Sequence, residues 1–376
     1  MKKSKKGKKN KKKRGFFGRM IVFLLAVLAS VGLVAMALSV LSSYINPIRF
    51  AWLSFFGLTF WVILFYNMAV LVLLLLMRSR KVWIAVFTLL VAIPGIYKSF
   101  STGRSHEGGE LRVMSYNVMN FTDQYDKSKS SMEVASDIAR MVKEYDPDVL
   151  CVQEFTYFTG KGQNSSVTGF GEMVGMPYQR YNTKSNFCGN VIFSKYPVSA
   201  LEENMPLAKE EDYGTVAKVD AGEKGVFYLL CCHLVSFQLT DREITAITEH
   251  NNKEQMEEYG KSIVSKLRAA YVKRSTQVAL MLEAIPHDER PIILCGDFND
   301  TPLSYTYHQI NRAGFTDGFV KTGRGIGRTY AGKLPLLRID YVWGNGQIEP
   351  MAFKRLKVKG SDHYPVMMDF NIKHGI

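Results

Sequence analysis

Apolar positions are distributed along this chain in two different ways. Between residues 21 and 97 they come in long runs. Residues 21–41 carry no charge and are long enough to cross a bilayer as a helix. Residues 50–77 form a second uncharged run, with Asn67 its most polar member and Trp52 and Trp61 in the first half. Residues 82–97 form a shorter third run containing Pro94, which membrane helices tolerate. The first run shows no polar face, so a buried soluble helix does not explain it. A cleaved signal peptide does not either: the apolar stretch is too long, no small-x-small site closes it, and a second run follows at once.

After a polar, glycine-containing linker at 99–110 the pattern changes to short apolar runs mixed with amphipathic ones. Strands are expected at 111–116, 148–153, 191–194, 215–219, 226–232, 291–295, 338–343, 348–353 and 366–370. Helical spacing covers 132–145, 255–285 and 302–312. Strands interleaved with helices over one long domain predict an α/β sandwich. The expected organisation is a basic tail (1–19), an anchor of three membrane helices (20–98, with spans 21–41, 50–77 and 82–97), the linker, and a catalytic domain at 111–376.

Charge sharpens this division. The 376 residues have a formal net charge of +14, which by itself suggests nucleic-acid binding. Before residue 105 there are 17 Lys and Arg and no acid; after it, the other 31 face all 34 acids. The domain is therefore slightly acidic, and a uniformly basic nucleic-acid binder is excluded. An apolar content of 47% excludes disorder. Cys151, Cys188, Cys231, Cys232 and Cys295 are too few for a disulfide scaffold, and four of them lie in apolar strands as small buried hydrophobes. Lys and Arg flank the apolar runs unevenly. The tail and the 78–81 link are strongly basic, so both are expected in the cytoplasm and the domain outside it, in the periplasm, if 82–97 crosses; if 82–97 only lies in the interface, the domain stays cytoplasmic.

The candidate chemistry sits at strand ends. Asn117 follows the first strand, Glu154 the second, His233 the fifth and Asp297 the sixth, with Asn299 two residues on. Asp340 lies inside a strand, and Ser361-Asp362-His363 precedes the last one. Polar groups beyond strand ends converge on one crevice in open α/β folds. Carboxylates, amides and imidazoles gathered there suit a hard cation such as Mg²⁺ that shares its shell with a substrate phosphate. Taken one at a time, each residue also reads as a turn or capping residue.

Together the segments SYNVMNF, DVLCVQEF, GNVIFSKYPV, HLVSF, CGDFNDTP, RIDYVW and SDHYPV make the chain resemble the endonuclease/exonuclease/phosphatase superfamily over about residues 111–370. The resemblance implies a four-layer α/β sandwich of two mainly antiparallel sheets flanked by helices. It also implies metal-dependent phosphoester hydrolysis, with Mg²⁺ or in its place Mn²⁺. Carried over by position, Glu154 is the principal metal ligand, with Asn117 and Asp362 as its neighbours. Asp297 orients or deprotonates the attacking water, Asn299 donates to the phosphate, and His233 contacts it or acts as the general acid at the leaving oxygen. Asp340 and His363 form an Asp–His pair near the phosphate, and the resemblance leaves open whether His363 or Asp297 activates the water. Met119 stands where some nuclease members carry a carboxylate, so a second metal there is not expected. Asn190 and Arg328 are candidate phosphate contacts.

Substrate remains open between nucleic acid, a phospholipid headgroup and a small phosphoester, and a binding-only domain is the non-enzymatic alternative. The bilayer is the expected partner of the helices; no protein partner is inferable. The orientation has a direct check. Protease added to intact spheroplasts is expected to digest the domain, and complete protection would overturn this topology.

Overall fold

The computed structural model describes residues 15–373 apart from 107, 157, 159–162, 182–188, 202–213, 249–252 and 286–289. Most of the basic tail, and Cys188, lie outside the described residues.

The apolar runs form one helical bundle: α1 (Phe16–Leu41), α2 (Pro47–Phe50), α3 (Ser54–Leu58), α4 (Phe60–Leu76) and α5 (Val82–Ser99). The second run is not the single helix its composition suggests. Pro47–Leu58 meets Phe60–Leu76 at 51°. Thr59 lies at the break, and its hydroxyl donates back to the Phe55 carbonyl at 2.9 Å, a bond that bends helices. By length and composition α1 and α5 can each cross a membrane, and the bent pair makes a third candidate.

Polar groups in the bundle turn inward. Asn67 Nδ2 donates to Ile63 O at 2.8 Å and across to Gly32 O at 3.3 Å. Leu25 and Ala29 of α1 meet Val70 and Leu74 of α4, while Met36 meets Phe60 and Leu64. Hence α4 runs antiparallel to α1 and α5.

The rest of the chain builds two six-stranded sheets. Its strands are β1 (Ser101–Thr102), β2 (Leu111–Asn117), β3 (Val149–Phe155), β4 (Tyr178–Tyr181), β5 (Gly189–Ser194), β6 (Val198–Ser199) and β7 (Gly214–Asp220). They continue as β8 (Val226–His233), β9 (Ile292–Asp297), β10 (Thr316–Asp317), β11 (Arg324–Gly325), β12 (Asp340–Gly344), β13 (Ile348–Arg355) and β14 (Val366–Ile372). One sheet has the order β13-β14-β2-β3-β5-β4, the other β10-β12-β9-β8-β7-β6; β1 and β11 form a separate short ribbon.

Each six-stranded sheet holds one parallel pair at its centre, β2 with β3 and β8 with β9, and is antiparallel elsewhere. A parallel pair needs a long crossover. Helix α6 (Ser131–Tyr145) makes the first; α8 (Asp241–Thr248) and α9 (Lys253–Ala284) make the second. The remaining helices are α7 (Gln163–Val174), α10 (Tyr305–Arg312) and α11 (Gly318–Thr322). Helices on the two outer faces and sheets between them give the expected four layers.

Strands buried on both faces read as unbroken apolar runs. All six residues of β9 are buried. Val113, Cys151, Ile192, Leu229, Cys231 and Phe370 are among those that fill the space between the sheets. Phe121, Ile138, Phe155 and Phe170 help build an outer core under α6 and α7. Leu230, Val278, Met281 and Trp343 contribute to its counterpart under α9. Cys151, Cys231, Cys232 and Cys295 are free and buried, and burial raises the thiols of Cys151, Cys232 and Cys295 above their ordinary pKa, which suits filler rather than nucleophiles. Helix α6 starts on a capping box in which Ser130 and Glu133 satisfy each other's backbone N–H.

The domain is fastened to the bundle. Leu303, just after β9, buries its side chain among Met36, Phe60, Leu64 and Ala92. Ser42 Oγ donates to the Leu303 carbonyl at 2.9 Å, and a side chain on Gly57 would collide with that same carbonyl. Arg338 is fully buried. It donates to Asp317 Oδ2 and to the Lys98 carbonyl at the end of α5, each at 2.7 Å. Its guanidinium lies over Phe319 and Tyr341 at 4.4 and 4.6 Å.

Removing one member of a buried pair strands the other charge, at about 3–5 kcal/mol. Arg338→Ala is therefore expected to lower the thermal midpoint of the full chain in detergent clearly, and Arg338→Met with Asp317→Asn to recover part of it. A wild-type midpoint in Arg338→Ala would show that the pair does not hold this junction.

Candidate active site

Strand direction gathers the polar residues. The parallel pairs β2/β3 and β8/β9 end on one edge of the sandwich, so Asn117, Glu154, His233 and Asp297 come out there. Strands β14 and β12 run antiparallel to β2 and β9 and begin at that edge, which brings in His363 and Asp340. The register places His233 beside Asp297 and Asp340 opposite Asp297. This approach needs Gly296, whose φ is +136° and where a side chain would run into the Cys232 backbone.

Glu154 owes its direction to a β-bulge. Pairing of β3 with β5 slips between Val152 and Phe155, setting Gln153 and Glu154 against Asn190. Glu154 adopts φ +54°, and Asn120 (+54°) and Asn299 (+52°) share this left-handed conformation. Non-glycine residues held there cluster at functional sites.

The contacts form one network. Asn117 Nδ2 bridges the two sheets, donating to Glu154 Oε1 at 3.0 Å and Asp297 Oδ2 at 3.1 Å. Its own Oδ1 accepts from Met119 N. Asp297 Oδ1 accepts the Asn299 N–H at 2.8 Å, and Asn299 Nδ2 donates to the Leu234 carbonyl. His233 Nε2 lies 3.7 Å from Glu154 Oε1 and 3.9 Å from Asp297 Oδ2. His363 Nδ1 is 3.0 Å from both oxygens of Asp340, and its Nε2 is 3.6 Å from Asp297 Oδ2. Asp297, Asp340 and His363 offer ligand atoms all within 4.8 Å of one another.

The electrostatics follow from burial and crowding. Asp297 is only 1% exposed. Burial raises its pKa, the His363 charge lowers it, and the Asp340 charge raises it further. Asp362 is raised by burial, partly offset by His363, with Glu154 and Asp297 adding to the rise. Burial alone would lower the His363 pKa, but the charges of Asp340 and Asp297 outweigh it and push it up to about 10.

Glu154, Asp297, Asn299, Asp362 and His363 line a cavity of about 600 Å³. The structure thus brings together eight of the residues expected from sequence: Asn117, Glu154, His233, Asp297, Asn299, Asp340, Asp362 and His363. Two others fall elsewhere. Arg328 does not line the cavity; its guanidinium donates to the carbonyls of Tyr330 at 2.6 Å and Gly332 at 2.9 Å and braces that loop. Asn190 faces the bulge and does not line the cavity.

Three supporting residues were not singled out by sequence reasoning. Asn120 Nδ2 donates to Glu154 Oε2 at 3.0 Å, and its place inside SYNVMNF was the available signal. Ser361 Oγ donates to the Asn117 carbonyl and accepts the His363 N–H, tying the last loop to β2. Tyr330 stands edge-on to His363 at 5.5 Å, from a segment with no local signal.

A model of the Endonuclease/Exonuclease/phosphatase family matches residues 114–363. The chain belongs to that family. The family is one of phosphoester hydrolases. A second model, described as a domain of unknown function (DUF8431), matches residues 19–99, the helical bundle. Among curated proteins, Escherichia coli K12 "Uncharacterized protein YbhP" is 27% identical over 190 residues, which is 49% of this chain and 63% of that protein. The match thus spans less than two thirds of that relative. Among solved structures, the family protein from Beutenbergia cavernae superposes with a TM-score of 0.46 at 17% identity, covering 70% of this chain and 72% of that one. An AP endonuclease from Archaeoglobus fulgidus gives 0.44 at 17% identity, covering 70% and 100%.

The His363 surroundings yield a direct test. In metal-free protein, histidine NMR is expected to show one imidazole still protonated at pH 8. Asp340→Asn should bring it down towards the ordinary value near 6.5. A wild-type chain in which every histidine titrates near 6.5 would contradict this geometry.

Proposed function

We propose that this chain is a membrane-anchored, Mg²⁺-dependent phosphoester hydrolase. The observation that carries the reading is the cluster of Glu154, Asp297, Asp340 and Asp362, of which Glu154, Asp297 and Asp362 line the cavity. Among the described residues none of the four has a Lys or Arg ion partner; Glu154, Asp297 and Asp340 have only histidines nearby. Four crowded carboxylates without a Lys or Arg partner, and with only histidines beside them, favour a bound cation over mutual repulsion. Oxygen donors facing open space suit a hard divalent ion. Glu154 and Asp362, both lining the cavity, would hold it, with Asn117 keeping Glu154 in place. Bound there, Mg²⁺ supplies positive charge against the phosphate oxygens.

The chain's own residues supply the rest. Asp297, held by N–H donors on both oxygens, accepts a proton from a water. The water oxygen bonds to phosphorus as the ester P–O bond on the opposite side breaks, and His233 hands a proton to the departing oxygen. Asn299 and the His363 Nε2 edge steady the phosphoryl oxygens. Asp340 keeps the His363 ring oriented with its Nδ1 protonated.

Membrane anchoring is supported by the antiparallel bundle, in which α1 and α5 end, and α4 begins, at the domain side. Three crossings then place the domain opposite the basic tail, with the tail cytoplasmic and the domain periplasmic.

The test uses the full chain and bis(p-nitrophenyl) phosphate. Chelation should abolish hydrolysis and added Mg²⁺ restore it. Asp297→Asn is expected to cost at least about 100-fold in kcat, as loss of general base catalysis does. Glu154→Gln should chiefly raise the Mg²⁺ concentration needed. Full activity in Asp297→Asn, or activity indifferent to chelation, would sink the assignment.

A further inference from the structure

The cavity lining has two chemical characters. Glu154, Asp297 and Asp362 line it with His363, and so do the apolar residues Leu58, Phe237, Leu239, Ile244, Leu334 and Leu337, with Asp241 and Lys333 next to them in the chain. Leu58 belongs to α3, part of the helical bundle, so the bundle forms part of the active-site wall. Leu58 also clusters with Phe237, Leu239 and Tyr271 of the domain.

A second cavity of about 80 Å³ shares Leu58, Thr301 and Leu337 with the first and reaches Trp61, Val62 and Phe65 on the outer side of α4. Val62 is 67% exposed and Phe65 49%. The two cavities are thus neighbours that share lining residues, and the second lies beside the α3–α4 break, next to a helix face that is open to lipid when the bundle spans a bilayer.

The depth is right for a headgroup. Helix α4 has 17 residues and is about 25 Å long, against about 30 Å for the hydrocarbon core. Its first turn, and Leu58 just before it, then sit at the hydrocarbon boundary, where lipid phosphates begin. Tyr44, Ile48, Phe50 and Trp52 are exposed at this same end, as residues of an interfacial belt are. Charge points the same way. Among the described residues the cavity lining has two lysines, Lys127 and Lys333, against five acids, which is enough for one phosphate and unsuited to a polyanion whose affinity rests on many phosphate neutralisations.

We infer that the substrate is a membrane phospholipid, taken laterally from the bilayer with its phosphoester at the acid–histidine cluster and its acyl chains lying past Leu58 along α4. This rests on the hydrolase reading above.

The experiment uses the full chain with Mg²⁺ in phosphatidylcholine vesicles. Phosphatidic acid, phosphatidylglycerol, phosphatidylinositol and phosphatidylethanolamine are each supplied as a dioleoyl lipid and as a monomeric dihexanoyl analogue. Bis(p-nitrophenyl) phosphate and a single-stranded oligonucleotide are run beside them. At least one headgroup is expected to be cleaved at least tenfold better, in kcat/KM, from the long-chain lipid; burial of about two methylene groups is enough for this. Leu58→Lys, and independently Leu334→Glu, should each cut the long-to-short ratio at least tenfold. The wild-type ratio decides the matter even if a variant does not fold. Cleavage of bis(p-nitrophenyl) phosphate without a long-chain preference, or a preference for the oligonucleotide, would overturn this inference and leave the hydrolase reading intact. A ratio unchanged in both folded variants would also overturn it. Inactivity on every ester, bis(p-nitrophenyl) phosphate included, would remove both.

Discussion

Parallel pairing at the centre of each sheet is the constraint on which the site depends. Because β2 runs with β3 and β8 with β9, four strands deliver their last residues to one edge. The antiparallel neighbours β12 and β14 start at that edge. The crossovers that permit the pairing are the helices of the outer layers, so the four-layer architecture and the collected site have one cause. A one-residue slip in β9 would reverse the faces of its side chains and turn Asp297 away from Asn117 and His363.

The edge is costly to assemble. Asp297 and Asp340 are buried and near one another, and burying an unpaired charge is strongly unfavourable. The fold offsets this locally. Asn117 and the Asn299 N–H hold Asp297, while His363 answers Asp340. Three residues in left-handed backbone conformations, Asn120, Glu154 and Asn299, mark where the chain bends to aim these groups. The remaining negative charge faces the cavity, where a cation and a phosphate would meet it.

The bundle and the domain share parts. The loop after β9 carries Asn299 towards the cavity and, four residues later, sinks Leu303 among α1, α4 and α5. Arg274, buried against Asp300 with Nε 3.3 Å from its carboxylate, braces the same loop. It also donates to the Val235 carbonyl at 3.1 Å, next to the strand that ends on His233. A shift of the bundle against the domain would be felt at Asn299 within a few residues. The bundle is thus a wall and a brace of the site.

The sequence by itself determined the fold class and the family. The charge split, the long apolar runs and the strand-end residues are local patterns, and local patterns survive without coordinates. Eight of ten expected site residues converge because each sits at a strand end whose direction the alternation of elements already constrains. A basic residue such as Arg328 in a glycine-rich loop reads the same whether it meets a phosphate or its own backbone carbonyls. Only the pairing with β3 shows that Asn190 lies opposite the bulge that carries Glu154. The break at Thr59 was hidden inside an unbroken apolar run, since hydropathy does not register a bend. Only the tertiary structure decided that Leu58 lines the cavity and that Arg338 closes the end of α5. These contacts, such as Leu58 with Phe237 and Arg338 with Lys98, join segments distant in sequence, and no periodicity within either segment encodes which distant surface it will meet.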